Sequence, residues 1–244
     1  MNYKIIFIIL VITICLVIFL ISSYIMINEV IKFEENEQDN RELVSNAIEI
    51  IDNAENNTSR IIDWKYLQSV NPNIIAWIEI EGTKIDYPIL KDNDNLYYLK
   101  HSYNNKYNDN GSIFTLDTNA FENEETIIFG HNMRNGTMFS ELGNYLDNDF
   151  LNSHRNIKIY TPNKNYIAEI FSCYSISIND EENNLKGLDF NEKTNYYKEK
   201  SKYKIDSADN MDKIIKLSTC SYINATTHPT NQRYYIIAKL NDVK

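Results

Sequence analysis

The chain has 244 residues, with 24 Lys and Arg against 34 Asp and Glu, for a formal net charge of -10 and an isoelectric point near 4.9. That balance, with no strongly basic patch in the sequence, speaks against nucleic acid or another polyanion as partner, because phosphate recognition needs clustered Lys and Arg. With only three cysteines, a disulfide framework is not what holds the fold together.

The first element is the stretch IIFIILVITICLVIFLISSYIMI at 5–27, which has no charged residue. A helix needs roughly 20 apolar residues to span a hydrocarbon core, whereas the apolar part of a signal peptide is only about 7–15 residues long. The stretch predicts an uncleaved membrane anchor. Lys4 and the amino terminus precede it and EENEQD follows it, so the positive-inside bias puts the rest of the chain outside the cytoplasm. Lys32, just beyond the span, weakens that bias.

After the anchor, Leu43, Ala47, Ile48 and Ile51 recur at helical spacing among acids and amides, which predicts a juxtamembrane helix with a polar outer side. IIDWKYLQSVNPN predicts a second short helix ending at Asn71-Pro72, because the residue before proline is pushed out of the α region. From Ile74 the pattern changes to short runs rich in β-branched and aromatic residues: IIAWIEI, TKIDYPI, GSIFTL, ETIIFG, NIKIYT, YIAEIFSCYSISI, DKIIKLST and RYYIIAKL. Turn signals such as Glu81-Gly82 and Asn163-Lys164-Asn165 separate several of them, so the pattern predicts eight strands. Two helical insertions interrupt them, one with Met138, Phe139, Leu142 and Leu146 as an apolar stripe, the other within 181–209 around NEKTNYYKEKSKY. Many short strands with few helices point to a closed barrel, which leaves no exposed edge.

Cys15 lies within the apolar span, leaving Cys173 and Cys220 outside it. Cys220 stands between Thr219 and Ser221 at the end of one predicted strand, and Arg233 opens the next across the turn-rich loop NATTHPTN. A nucleophilic cysteine works as its thiolate, which a neighbouring imidazolium or guanidinium favours. Of four histidines, only His131 directly follows a strong strand pattern, ETIIFGHNM, where Gly130 lets the backbone turn or approach another element closely. His101, His154 and His228 lie in polar or proline-containing segments and read as solvated surface residues. Taken singly, each signal has a bland reading: His131 as a structural histidine, Cys220 as a small buried hydrophobe or as the partner of Cys173 in one disulfide, Arg233 as a surface charge. Together they stand at the edges of three different predicted strands, and a barrel brings distant strand ends to one rim.

The segments NPNIIAWIEIEGTKIDYPIL, DNDNLYYLKHSYNNKYNDNGSIF, IIFGHNM, LSTCSY and RYYIIAKL resemble class B sortases, the membrane-anchored cysteine transpeptidases of Gram-positive bacteria. The resemblance runs from about Trp64 to Leu240, with the histidine, cysteine and arginine motifs in the family's order. It implies a mainly β fold: an eight-stranded sortase-type barrel preceded by helices, with a longer helix inserted before the cysteine strand. The division of the chain is then 1–28 as cytoplasmic tip and anchor, 29–72 as helical lead-in and 73–244 as catalytic barrel.

By motif, the resemblance implies that Cys220 is the nucleophile, His131 the acid/base and Arg233 the oxyanion-stabilising residue, with Ser218 and Thr219 as substrate-binding positions. The implied partners are exported proteins bearing a C-terminal sorting motif and an amine of peptidoglycan precursor or cross-bridge. No cofactor or metal is implied, in keeping with a sequence that has no CxxC, HExxH or complete EF-hand pattern. Two rivals stay open: a tethered cysteine peptidase that releases its acyl group to water, and a non-catalytic binding module in which Cys220 is structural.

Overall fold

The computed structural model describes residues 3–52, 58–93, 96–205, 211–223 and 230–243. The chain divides into two compact units, Met1–Asp63 and Trp64–Lys244.

In the first unit, helix α1 (Tyr3–Ala47) runs without interruption for 45 residues and includes the apolar stretch, long and apolar enough to cross a membrane. The predicted juxtamembrane helix forms as the last part of α1 and stops at Ala47, short of Ile48 and Ile51. Strand β1 (Ile48–Asp52) begins directly after Ala47 and pairs antiparallel with β2 (Thr58–Ile62), Ile48 facing Ile62. Ile48 and Ile50 also alternate with period two, and cross-strand pairing takes that periodicity over the helical one.

The second unit opens with α2 (Trp64–Val70), which ends where the Asn71-Pro72 signal stops it. All eight strands predicted from Ile74 onward are present. They are β3 (Ile74–Glu79), β4 (Asp86–Lys91), β5 (Ile113–Thr115), β6 (Glu125–Phe129), β7 (Asn156–Tyr160), β8 (Asn165–Ser177), β9 (Ile214–Cys220) and β10 (Gln232–Asp242). They close into a mixed barrel in the order β10-β8-β7-β3-β4-β5-β6-β9, with β9 pairing back onto β10. The pairs β4–β5 and β6–β9 are parallel and the rest antiparallel. A bulge opposite Ile237 and Ala238 adds one residue to the long β8, which bends a strand.

Alternation along each strand fills the barrel. Ile78, Ile89, Ile128, Ile159, Ile215, Leu217 and Ile236 form the interior core with Phe139 and Leu142. The apolar stripe at 138–146 becomes a 3₁₀ helix, Ser140–Leu146, that delivers Leu142 and Tyr145 to this core. Helix α3 (Asn148–Ser153) follows, its first turn capped by the Asp147 carboxylate.

The helix expected around NEKTNYYKEKSKY before β9 is present, with a further short one ahead of it. Among the described residues these are α4 (Ile178–Leu185, 8 residues) and α5 (Phe190–Lys200, 11 residues), the second being the expected one. Ser177 caps α4 and an Asp189/Glu192 capping box starts α5. Gly187, at a φ of 80°, lies between them. Both helices pack toward the outward side of β8, β9 and β10, where Tyr174, Tyr197, Ile214 and Tyr235 make a second apolar cluster.

Inside that layer Lys216 of β9 is 3 % exposed and its ammonium pairs with Glu181 of α4, also 3 % exposed. Glu181 further accepts from the Tyr174 and Tyr196 hydroxyls, at 2.6 and 2.9 Å. The Tyr197 and Tyr235 rings face the Lys216 ammonium at 4.7 and 4.3 Å. Burial lowers the Lys216 pKa from its ordinary value, against the opposing pull of Glu181. So many satisfied partners are what make a buried ion pair tolerable, and the pair ties α4 to the strand that carries Cys220.

Candidate active site

Strand register brings the three singled-out residues together. Cys220 closes β9 and lies directly opposite Arg233 of β10. On the other side of β9, the parallel ladder from β6 pairs Phe129 with Ser218 and continues as Gly130 N–H donating to the Ser218 carbonyl at 3.2 Å. His131 and Cys220 each follow that last pair by two residues, and the Asn132 side chain, donating to the Cys220 carbonyl at 2.7 Å, keeps the two segments side by side.

The faces agree as well. Ile215 and Leu217 point into the barrel while Lys216 points out to Glu181, so Cys220, two and four residues on from Ser218 and Lys216, faces outward. Ile128 of β6 and Ile236 of β10 are interior residues, which places His131 and Arg233 on the same outer face. All three side chains are half-buried.

Gly130 stands at an interior position, and a Cβ there would meet Ile113 Cδ1 at 2.5 Å and Phe139 Cδ2 at 2.7 Å. Its role is close approach, not a turn: it lets the core close beneath His131. The His131 carbonyl accepts from Phe139 N–H at 2.9 Å, and His131 Nε2 lies 2.8 Å from the Leu99 carbonyl oxygen. A carbonyl only accepts, so that bond requires a proton on Nε2. Nδ1 is then the nitrogen whose proton can come and go while the ring stays oriented.

The Leu99 carbonyl is itself held in place. Buried Asn71 donates to Tyr98 Oη at 2.9 Å and to the Tyr103 carbonyl at 2.7 Å. Gly111, at a φ of 59°, packs so closely that a Cβ would lie 2.6 Å from both the Tyr98 and Leu99 carbonyl oxygens.

Arg233 is oriented by two backbone carbonyls, those of Thr230 and Gln232, each accepting from Nη1 at 2.9 Å. Ser221, next to the cysteine, donates its N–H to the Gln232 carbonyl at 2.9 Å and accepts from Ser175 Oγ at 2.9 Å. Residues 224–229 of the polar loop after Cys220, His228 among them, and the Asp94-Asn95 part of DNDN lie outside the described residues. Ser218 and Thr219 are both buried, at 5 % and 2 % exposure. Ser218 shares the outward side with Cys220. Thr219 falls on the interior side, its Oγ1 buried without a hydrogen-bond partner.

The two other described histidines differ from the solvated reading. His101 is half-buried and stacks on Tyr97 at 3.8 Å, and His154 is half-buried and stacks on Phe150 at 4.1 Å. Each ring also has Nδ1 at 2.8 Å from the carbonyl four residues back. Sequence reasoning also passed over Asn132, whose side-chain amide donates to the Cys220 carbonyl at 2.7 Å. Its position directly after His131 was the available signal.

Cys173 and Cys220 are both free thiols, which disposes of the disulfide reading. Cys173 is fully buried in the barrel core, donates toward the Tyr145 carbonyl, and burial pushes its thiol pKa up to about 11. It remains a protonated core residue at neutral pH. Cys173→Ala is expected to keep full turnover while losing about 1 kcal/mol of packing, a fall of a few degrees in thermal midpoint. Thermal denaturation and peptide turnover measured on the same preparation check both halves.

A family model described as the Sortase domain matches residues 78–241. A sortase B of Listeria monocytogenes is 40% identical over 160 residues, 63% of this chain and 65% of that protein, slightly under two thirds of its length. A sortase B of Staphylococcus aureus is 31% identical over 183 residues, 71% of this chain and 72% of that protein. Among solved structures, Clostridium perfringens sortase B superposes with a TM-score of 0.65 at 32% identity, covering 73% of this chain and 99% of its own.

Proposed function

The chain belongs to the sortase family, among the class B sortases, and from that premise we propose that it is a cysteine transpeptidase that joins exported proteins to a peptidoglycan amine. The observation that carries the reading is the register: Cys220 lies opposite Arg233 on one side, and on the other Cys220 and His131 each follow the Phe129–Ser218 pair by two residues, all on one face.

In the proposed reaction the Cys220 thiolate attacks the carbonyl carbon of a peptide bond in the sorting motif. Charge develops on the carbonyl oxygen, and Arg233 stabilises it by hydrogen bonding, often the largest catalytic contribution. The C–N bond then breaks. The departing amine takes a proton from the His131 imidazolium, leaving a thioester on Cys220. An amine of peptidoglycan precursor or cross-bridge attacks that thioester, gives its proton to the now neutral His131, and the thiolate leaves as the new amide forms. Ser218, on the outward side of β9 with Cys220, is the nearer of the two substrate-binding positions to the acyl group, whereas Thr219 packs on the interior side.

The 1–28 segment acts as anchor, with the barrel outside the cytoplasm. Tethering enzyme, exported substrate and lipid-linked precursor to one membrane raises their effective concentration without any new contact.

The test is the fate of the thioester. Incubated with a library of sorting-type peptides, the protein should yield amide in rising proportion to free acid as a peptidoglycan-like amine is added, read by mass spectrometry. A well-oriented acceptor competes with water through effective molarities of up to roughly 10⁵–10⁸ M. Only free acid across cross-bridge glycine and diaminopimelate acceptors favours the peptidase instead.

A further inference from the structure

Past Gly130 the chain leaves β9, yet the ladder between β6 and β9 gains one more rung. Rungs of a parallel pair recur every two residues along each strand, so after Gly130 N–H to the Ser218 carbonyl the next would run from Asn132 N–H to the Cys220 carbonyl. The backbone has turned away by then, Asn132 forming an isolated bridge with Met138 instead. The rung is supplied by the side chain, Asn132 Nδ2 donating to the Cys220 carbonyl oxygen at 2.7 Å. On the opposite side, the rung to β10 belongs to the next residue, Ser221 N–H to the Gln232 carbonyl at 2.9 Å. Alternation in an antiparallel pair therefore turns the Cys220 carbonyl toward β6 and Asn132.

We propose that Asn132 is a positioning residue for acyl transfer: its amide completes the strand ladder at the nucleophile and so holds the Cys220 peptide in register with His131. This rests on the roles given above to Cys220 and His131. The peptide plane of Cys220 sets the direction of its Cα–Cβ bond and hence the place of Sγ. Asn132 is also bonded covalently to His131, so one side chain links the two groups that must cooperate in proton transfer. Misplacement of a reacting group by about 1 Å can cost 10²-fold. A donor in this position also keeps the Cys220 carbonyl, an electron-rich dipole, turned away from the face where thiolate and oxyanion carry negative charge.

The test compares the natural chain with Asn132→Asp and Asn132→Ala, each as full chain in detergent micelles. Asp keeps the shape of Asn but cannot donate at neutral pH, whereas Ala loses both shape and donor. Both are expected to lower kcat about 10- to 100-fold with KM within about twofold. Both should also change the rate of Cys220 alkylation by iodoacetamide, which needs no substrate, by at least about threefold. Should the Asp charge unfold the loop, Asn132→Ala and Asn132→Leu, the second near Asn in size and without a donor, carry the same expectation. Unchanged kcat and alkylation in either folded variant overturns the proposal. So does loss in Ala with none in Asp, which marks a space-filling role. A natural chain that never acylates on Cys220 refutes the transpeptidase reading instead, and the alkylation rates still decide whether Asn132 positions the thiol.

Discussion

Cys220→Ala is expected to yield a folded protein with no acyl-enzyme and no detectable peptide cleavage. The substitution removes one sulfur at the outward end of β9, away from the barrel interior where Ile215 and Leu217 pack. The thermal midpoint should therefore stay within a few degrees of the natural protein's. Activity should vanish, because removing the covalent nucleophile of a catalytic unit costs on the order of 10⁶-fold. Peptide turnover beside circular dichroism separates the two effects. Retained cleavage in the Ala variant would mean that the thiol is a bystander to the chemistry.

His131→Ala and Arg233→Ala are the next largest. Losing a positioned acid/base costs about 10²–10⁴-fold, and losing one oxyanion donor about 10²–10³-fold. The two should differ in kind. In the proposed reaction His131 serves both thioester formation and its resolution, so its loss should slow the acylation burst and the steady state together. Arg233→Lys should not restore the rate, because an ammonium lacks the planar fork that bonds to the Thr230 and Gln232 carbonyls while presenting further donors. Rapid-quench kinetics on both variants supplies the comparison, and an Arg233→Lys protein at natural rate would remove Arg233 from the chemistry.

How much of this was legible in the sequence depended on where the physics is local. Each barrel strand announces itself through β-branched and aromatic runs bounded by turn residues, as in IIKLSTC and QRYYIIAKL, since strand propensity reflects fit to a half-buried pleated surface. Cys220, His131 and Arg233 stood out because each ends or opens such a run. The hairpin after Ala47 was hidden because Ile48 and Ile51 satisfy helical spacing while Ile48 and Ile50 satisfy strand spacing, and only the partner strand β2 decides between them.

Helix α4 was hidden for another reason. Its sequence, INDEENNL, offers almost no apolar stripe, and its buried face is carried by Glu181, whose partner Lys216 lies 35 residues away. No periodicity announces a carboxylate that is buried only because a distant lysine meets it. The parallel β6–β9 pairing is equally non-local, and with it went the rung from Asn132 to Cys220, which needs two segments 88 residues apart to be side by side.

The covalent step is the most direct point of attack. The full chain, turning over a sorting-type peptide and quenched in acid, should carry the acyl half of that peptide as a hydroxylamine-labile adduct. Tryptic mapping should place it on Cys220, within the fragment 217–233. The adduct should disappear as an amine acceptor is added and amide accumulates. Product forming while the acyl group sits on Cys173 or on any other residue would contradict the assignment of Cys220 and the reaction built on it.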